Sequence, residues 1–262
     1  MEERFGTPLF VRAGRRMQLT DAGAAILDSA RRMEREMLAI ARSLEVQSTA
    51  LCGEVTISAT EGTGTEWLTP VLLDFHHQYP EILLKVQIEN RAVDLIRREA
   101  DIALRLGQPT QPDLIARKLV TVGFGLYASK GYLRRAALLN SLEDLHAHHL
   151  VGLQAAGAGM NSLQPFPAIE SLQGNYVYLS NSSAAQLSAV QAGFGIGVLS
   201  HRWAGIAGKL TRVLPDYTAA AIELWLVTHE ELRHSARIRA VFDFIAERAL
   251  ADKDLFETGG RH

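Results

Sequence analysis

With 262 residues, 47% of them hydrophobic and 21% charged, the chain can bury the core of one large domain or of two smaller ones. A formal charge of −2 excludes a surface coated for nucleic acid throughout, but not a small basic module joined to a neutral domain. The single Cys52 forms no intramolecular disulfide. No apolar run reaches a signal-peptide core or the roughly 18 residues of a membrane span, so a cytoplasmic protein with no membrane partner is expected.

Residues 1–20 carry four arginines (Arg4, Arg12, Arg15, Arg16) against two glutamates, a local charge of +2. Within them, Pro8-Leu9-Phe10-Val11 reads as an extended apolar run. Ala13-Gly14 supplies a turn and Met17-Gln18-Leu19 alternates back, which predicts a short hairpin over 8–20. Thr20 is placed to cap a helix, with Asp21 where the helix dipole favours an acid. From Asp21 to about Gln47 there is no proline. Ile26, Ala30, Met33, Met37, Ile40 and Leu44 follow one another at steps of four and three. That heptad seam predicts a helix of about 26 residues, roughly 39 Å long at 1.5 Å per residue. It suits a dimerising partner helix better than a globular surface.

After a joint at Ser48-Thr49-Ala50 the pattern alternates between strand and helix. Strands are predicted at Glu54–Ala59, Ile82–Glu89, Ile102–Leu106, Leu114–Val120 and Gly123–Ala128, with helices at Glu66–Gln78, Ala92–Glu99 and Lys130–Ala137. The second half continues with strands at Leu150–Leu153, Tyr176–Leu179, Ile196–Ser200, Leu210–Val213 and Ile222–Thr228. Helices are predicted at Ser182–Ala192 and Ala236–Leu250, and the end from Asp252 is expected to fray. Such alternation implies an α/β fold with a parallel-rich sheet.

Two helix starts could take an anion: Thr60-Glu61-Gly62-Thr63-Gly64-Thr65 after the first strand, and Ser180-Asn181-Ser182-Ser183. Unpaired helix N–H groups beyond strand ends favour negative charge, although the same residues also serve as ordinary caps. Arg105, near the end of a buried strand, wants an anionic partner, either a ligand or a nearby acid such as Asp101. Gly193-Phe194-Gly195-Ile196-Gly197 lies between helix and strand, the wrong order for a dinucleotide loop. His146, His148 and His149 lack the spaced companions of a metal site, and His76-His77 point apart on a helix. No nucleophile elbow, phosphate loop or acid–base set appears. The residues therefore point to binding rather than catalysis, with no cofactor and no metal.

Arg4-Phe5-Gly6-Thr7-Pro8-Leu9-Phe10-Val11-Arg12, then Arg15, then Leu19-Thr20-Asp21-Ala22-Gly23, closely resembles part of the LysR-type transcriptional regulators. The matched part is the end of the recognition helix, the wing and the start of the linker helix. Gly53-Glu54-Val55-Thr56-Ile57, Asp101-Ile102-Ala103-Leu104 and the run Ala189–Leu199 keep step with the same family, with Ser200 where it has proline.

The resemblance implies a periplasmic-binding-protein-like effector domain of two α/β lobes, preceded by a partial winged-helix domain and a long dimerising linker helix. The implied boundaries are 1–20 for the partial winged helix-turn-helix, 21–50 for the linker, 51–250 for the effector domain and 251–262 for a tail. Lobe I would take about 54–122 and 228–250, lobe II about 123–227, with crossings near Val122–Phe124 and Val227–His229. A small, anionic effector would sit between the lobes, against Thr60, Glu61, Thr63, Arg105, Leu106, Gly152, Leu153 and Asn181. Double-stranded DNA would be met through Arg4, Arg12, Arg15 and Arg16, and the seam would give a homodimer or homotetramer. Family members carry about 35 residues before the position of Met1: either an upstream start precedes it, which the DNA partner requires, or the chain begins without a complete recognition helix and its arginines meet phosphates alone. Two other classes share the α/β pattern. A solute-binding protein without DNA-binding activity is disfavoured by the heptad helix and the lack of a leader, and a small-molecule enzyme by the missing catalytic set.

Overall fold

A computed structural model of the chain describes residues 2–14, 16–27, 29, 30, 33, 37, 50–89, 100–109, 111, 114–154 and 175–259. It divides into two compact units, Met1–Ser48 and Thr49–His262.

In the first unit a short helix α1 (Glu2–Phe5) precedes an antiparallel hairpin of β1 (Phe10–Ala13) and β2 (Arg16–Leu19), paired Phe10 to Leu19. The Glu2 carboxylate accepts the Leu9 N–H at 2.6 Å and the Phe10 N–H at 3.0 Å, which ties the helix to the hairpin and holds its carboxyl below the usual carboxylate range. Residues 21–27 form α2. Thr20 caps it as the sequence predicts: its Oγ1 accepts the Gly23 N–H at 3.0 Å and donates to the Pro8 carbonyl at 2.8 Å. A Cβ on Gly23 would overlap the Leu9 carbonyl oxygen, so glycine is what lets the helix start lie against the hairpin. Residues 29, 30, 33 and 37 are helical too. Of the seam, Ile26, Ala30, Met33 and Met37 are described; Ile40 and Leu44 lie outside the described residues, as do Arg15 and the side chain of Arg16.

Among the described residues the second unit has nine strands. In spatial order these are β4 (Ile82–Ile88), β3 (Gly53–Ala59), β5 (Ile102–Leu106), β11 (Ala220–His229), β6 (Leu114–Ser129), β9 (Ile196–Ser200), β7 (Leu150–Leu153) and β8 (Tyr176–Ser180), with β10 (Leu210–Val213) also paired to β6. The β4-β3-β5 and β9-β7-β8 groups are parallel, whereas β6 and β11 run antiparallel to their neighbours and carry the chain between the two groups. Each group has its own core. Val55, Ile57 and Ala59 alternate inward along β3 and meet Trp67, Leu68, Val71, Leu72 and Phe75 of α3. That helix runs through Glu61–Thr63, a π-helical turn Gly64–Leu68, and Thr69–Gln78. Ile238, Val241, Ile245 and Ala249 of α7 (Ala236–Ala251) close the same core at steps of three and four. Fully burying a side chain such as Phe75 contributes about 1.5–3 kcal/mol.

In the other group Leu126, Ala128, Val198, Ile196 and Leu150 form one packed face, with Tyr132 of α4 (Lys130–Leu133). Tyr127, Val151 and Leu199 form the opposite one, under α5 (Ser183–Ala192) and α6 (His201–Ala207). Alternate residues of the same strands thus serve two faces, as a sheet covered on both sides requires. Phe124 packs against both cores.

The structure departs from the sequence reading in several places. Leu114–Val120 and Gly123–Ala128 are one unbroken strand of 16 residues. Gly123 and Gly125 sit inside it at points of close approach. A Cβ on Gly123 would overlap the Glu257 carbonyl and lie 2.7 Å from His201 Cδ2, and one on Gly125 would lie 2.8 Å from His201 Cε1. The helix expected over Lys130–Ala137 stops at Leu133. Helix α6 was not anticipated; it starts because Ser200 Oγ accepts the Trp203 N–H at 3.3 Å. The tail is ordered as α8 (Lys253–Thr258), whose Phe256 is 2% exposed and packs edge-on to Trp67 with ring centroids 5.1 Å apart. β11 already pairs with β5 from Leu224, so the return between the strand groups falls at about residues 220–223, earlier in the chain than Val227. The helix predicted over Ala92–Glu99 lies outside the described residues.

Candidate functional site

A cavity of about 120 Å³ opens where the start of α3, the end of β5, the middle of β6 and the start of β11 meet the ends of β7 and β9 and the start of α5. Thr60, Gly62 and Thr63 line one side. Gln154, Asn181 and Gln186 line the other, and Val122, Phe124, Leu199 and Trp203 form much of the apolar wall. Two helix starts converge on this space because α3 and α5 each follow the carboxyl end of a parallel strand, where such folds place ligands.

Of the residues the resemblance implied, Thr60, Thr63, Leu106, Leu153 and Asn181 lie in the cavity wall. The other three do not. Adjacent strand residues face opposite sides of a sheet, so with Leu106 in the wall, Arg105 points to the far face. There its Nη2 donates to Ser58 Oγ at 2.7 Å and its Nη1 to the Leu104 carbonyl at 2.8 Å. Burial lowers the Arg105 pKa, and the charge of Glu89 opposes that shift. Gly152 is a packing glycine, since a Cβ there would meet Leu179 Cδ2 at 2.6 Å and Tyr176 Cε1 at 2.7 Å.

Glu61 bridges the two strand groups beside the cavity. Its carboxylate accepts from Ser182 Oγ at 3.0 and 3.1 Å, from Ser183 Oγ at 3.1 Å and from the Ala184 N–H at 3.3 Å. It therefore occupies the start of α5, where helix dipole and free N–H groups attract negative charge. Ser182 caps the same helix by accepting the Ala185 N–H at 3.2 Å.

A second bridge lies on the other side of Trp203. Arg202 Nη2 donates to the Glu66 carbonyl at 3.0 Å, and its guanidinium stands 5.9 Å from the Phe256 ring centre. Trp67 Nε1 donates to Asp252 Oδ2 at 2.9 Å, and burial lowers the Arg202 pKa against the raising charges of Asp252 and Glu66. Beneath β6 and α6, His201 Nδ1 lies 2.8 Å from the Tyr127 hydroxyl. Burial, helped by the charge of Arg212, pulls the His201 pKa down to about 4, so the ring is neutral at pH 7.

Sequence reasoning missed Gln154, Gln186 and Trp203. Gln186 was findable in principle, because a polar residue one turn into a predicted apolar helix needs a partner; its Nε2 donates to the Val151 carbonyl at 3.3 Å. Trp203 sits on the unanticipated helix and carried no such signal. Among the described residues there is no group of three or more His, Cys, Asp or Glu that could hold a metal ion, and no helix is long and apolar enough to cross a membrane.

Two α/β strand groups with separate cores, joined by two antiparallel crossing strands over one cavity, define the two-lobed architecture of a periplasmic-binding-protein-like domain. The LysR substrate binding domain model matches residues 48–250, and the chain belongs to the LysR-type transcriptional regulators. A curated relative, an HTH-type transcriptional regulator of Xanthomonas campestris pv. campestris, is 29% identical over 262 residues, covering 97% of this chain and 76% of its own. The solved structure of CrgA, a LysR-type regulator from Neisseria meningitidis, is 28% identical with a TM-score of 0.66, covering 95% of this chain and 86% of that one. The full-length structure of the Vibrio cholerae virulence activator AphB shares the fold at a TM-score of 0.69 and 22% identity, covering 93% and 85%. The comparisons place the chain among regulators rather than enzymes.

Proposed function

We propose that this regulator senses a small molecule in the cavity between its two lobes and converts occupancy into a change at DNA. The observation that supports the reading most is the makeup of the wall. Hydroxyl and amide side chains from both lobes (Thr60, Thr63, Gln154, Asn181) converge on a space otherwise lined by apolar side chains, the pattern of a small-molecule site. A molecule touching both sides stabilises the closed arrangement over an opened one, and so shifts the population of lobe geometries. Exposed Arg4 and Arg12 supply phosphate contacts, which position a protein on DNA without reading its sequence. The apolar seam of Ile26, Ala30, Met33 and Met37, continued in sequence by Ile40 and Leu44, pairs two copies in a homodimer or homotetramer. The protein acts in the cytoplasm.

The test is a melting-temperature screen of the purified chain against pooled small metabolites, run beside Leu153→Trp. Leu153 is half-buried at the cavity edge, so the larger ring fills the space with little cost to the core. Compounds that raise the melting point of the parent and leave Leu153→Trp unmoved support the proposal. Compounds that shift both equally bind elsewhere and count against it.

A further inference from the structure

The cavity also indicates what kind of molecule it takes, an inference that rests on the sensing role just proposed. Among the described residues no lining side chain carries a charge. The guanidiniums of Arg105 and Arg202 are engaged elsewhere: Arg105 is turned to the far face against Ser58, and Arg202 meets the Glu66 carbonyl and the Phe256 ring. Removing a carboxylate from water without a cation or several oriented donors is strongly unfavourable.

The donors best suited to an anion are already engaged by the chain itself. The Ala184 N–H and the Ser182 and Ser183 hydroxyls all point at the Glu61 carboxylate, which emerges from the first turn of the other helix bordering the cavity. A carboxylate in the cavity would stand beside the Glu61 carboxylate, a like charge held at its edge by the cavity-lining Ser183. What remains suits a neutral acceptor. Thr60 makes no side-chain capping bond at the start of α3, and the first N–H groups of a helix have no intrahelical acceptor. Trp203, 5% exposed and part of the wall, keeps a buried Nε1–H with no acceptor among the described residues.

We infer that the effector is an uncharged, hydrogen-bonding molecule bearing an acceptor such as a carbonyl, and that Glu61 supplies from within the chain the anion which the paired helix starts attract. Glu61 thereby acts as a clasp that fixes the lobes around a neutral ligand and as a gate against acids of the same shape. The discrimination comes from repulsion of the wrong ligand as much as from attraction of the right one.

The experiment uses isobutyramide and isobutyrate, a neutral and an anionic molecule of nearly one shape, titrated into the isotope-labelled chain at constant ionic strength. Amide shifts of Gly62, Thr63, Asn181 and Ala184 are followed in the parent, Glu61→Ala and Glu61→Gln. In the parent the amide should shift the cavity signals with at least tenfold tighter binding than the acid. Glu61→Ala should gain tenfold or more for isobutyrate, with Ala184 among the shifted signals. Glu61→Gln keeps the side chain's length and an acceptor, so it guards against a folding defect, and it should gain in the same direction by a smaller factor. Isobutyrate binding the parent as tightly as the amide overturns the inference and leaves the sensing role standing. So does a failure of both variants to gain. If neither probe moves any cavity signal in any of the three proteins, the sensing role falls, and this inference with it.

Discussion

Replacing Gly123 by alanine should destabilise the protein, although the same change in a strand ordinarily stabilises it. Alanine in place of a strand glycine recovers about 0.5–1 kcal/mol, because glycine loses the most backbone freedom on folding. At position 123 the added methyl would overlap the Glu257 carbonyl of α8 and stand 2.7 Å from the His201 ring. The first neighbour is backbone and cannot swing away, so α8 must move off β6 and loosen Phe256, which is 2% exposed in the first core. Overpacking of this kind costs about 1–3 kcal/mol, which outweighs the propensity gain. Urea denaturation measures the difference, and in a domain of this size each kcal/mol lowers the melting point by about 2–4 °C. Gly131→Ala is the control: the nearest atoms its Cβ would meet lie 3.9 Å away, so it should leave stability unchanged or raise it. A Gly123→Ala protein as stable as the parent would refute the packing of the C-terminal helix against the crossing strand.

Arg105→Ala should lower stability by about 1–3 kcal/mol by removing a partner of the buried Ser58 hydroxyl, while ligand-induced melting shifts persist; loss of those shifts would return Arg105 to the site. His201 should make the protein acid-sensitive. Its folded pKa of about 4 lies below the ordinary 6.5, so stability is full above pH 6.5, falls as pH drops from there toward 4, and levels below. After allowance for solvent screening the loss is about 2 kcal/mol; His201→Phe should lack it, so it should appear in full in the stability–pH difference between parent and variant, and a flat difference would contradict the assignment. Met37→Glu should shift sedimentation toward monomer by placing charge on the seam, where Met37 is 74% exposed in the single chain; an unchanged dimer would remove that face from the assembly.

The strands were legible where apolar residues alternate or run together between turn residues: Ile102–Leu106, Leu150–Leu153, Ile196–Ser200 and Leu210–Val213 were read with the ends they have in the structure. Helix starts were legible through capping residues, with Thr20 capping as read and the Ser182 helix beginning one residue later, at Ser183. What failed depended on tertiary contact. The strand was split at residues 121–122, and the reason for Gly123 within it, the Glu257 backbone 134 positions later, is invisible locally. Phe256 read as part of a fraying end because nothing nearby shows that Trp67 awaits it. At the site, the helix starts were found from their hydroxyl-rich sequences, but strand periodicity decides which of Arg105 and Leu106 enters the cavity, and only the neighbouring strands fix its phase. The role of Glu61 was equally hidden, since its partners Ser182 and Ser183 lie more than 120 residues away.

The most direct measurement is a crystal structure of the chain with the strongest compound from the metabolite screen. The account predicts density in the cavity between Thr60 and Asn181, contacting both lobes, with Glu61 still on Ser182 and Ser183. Density at any other surface, with the cavity unchanged, would contradict it.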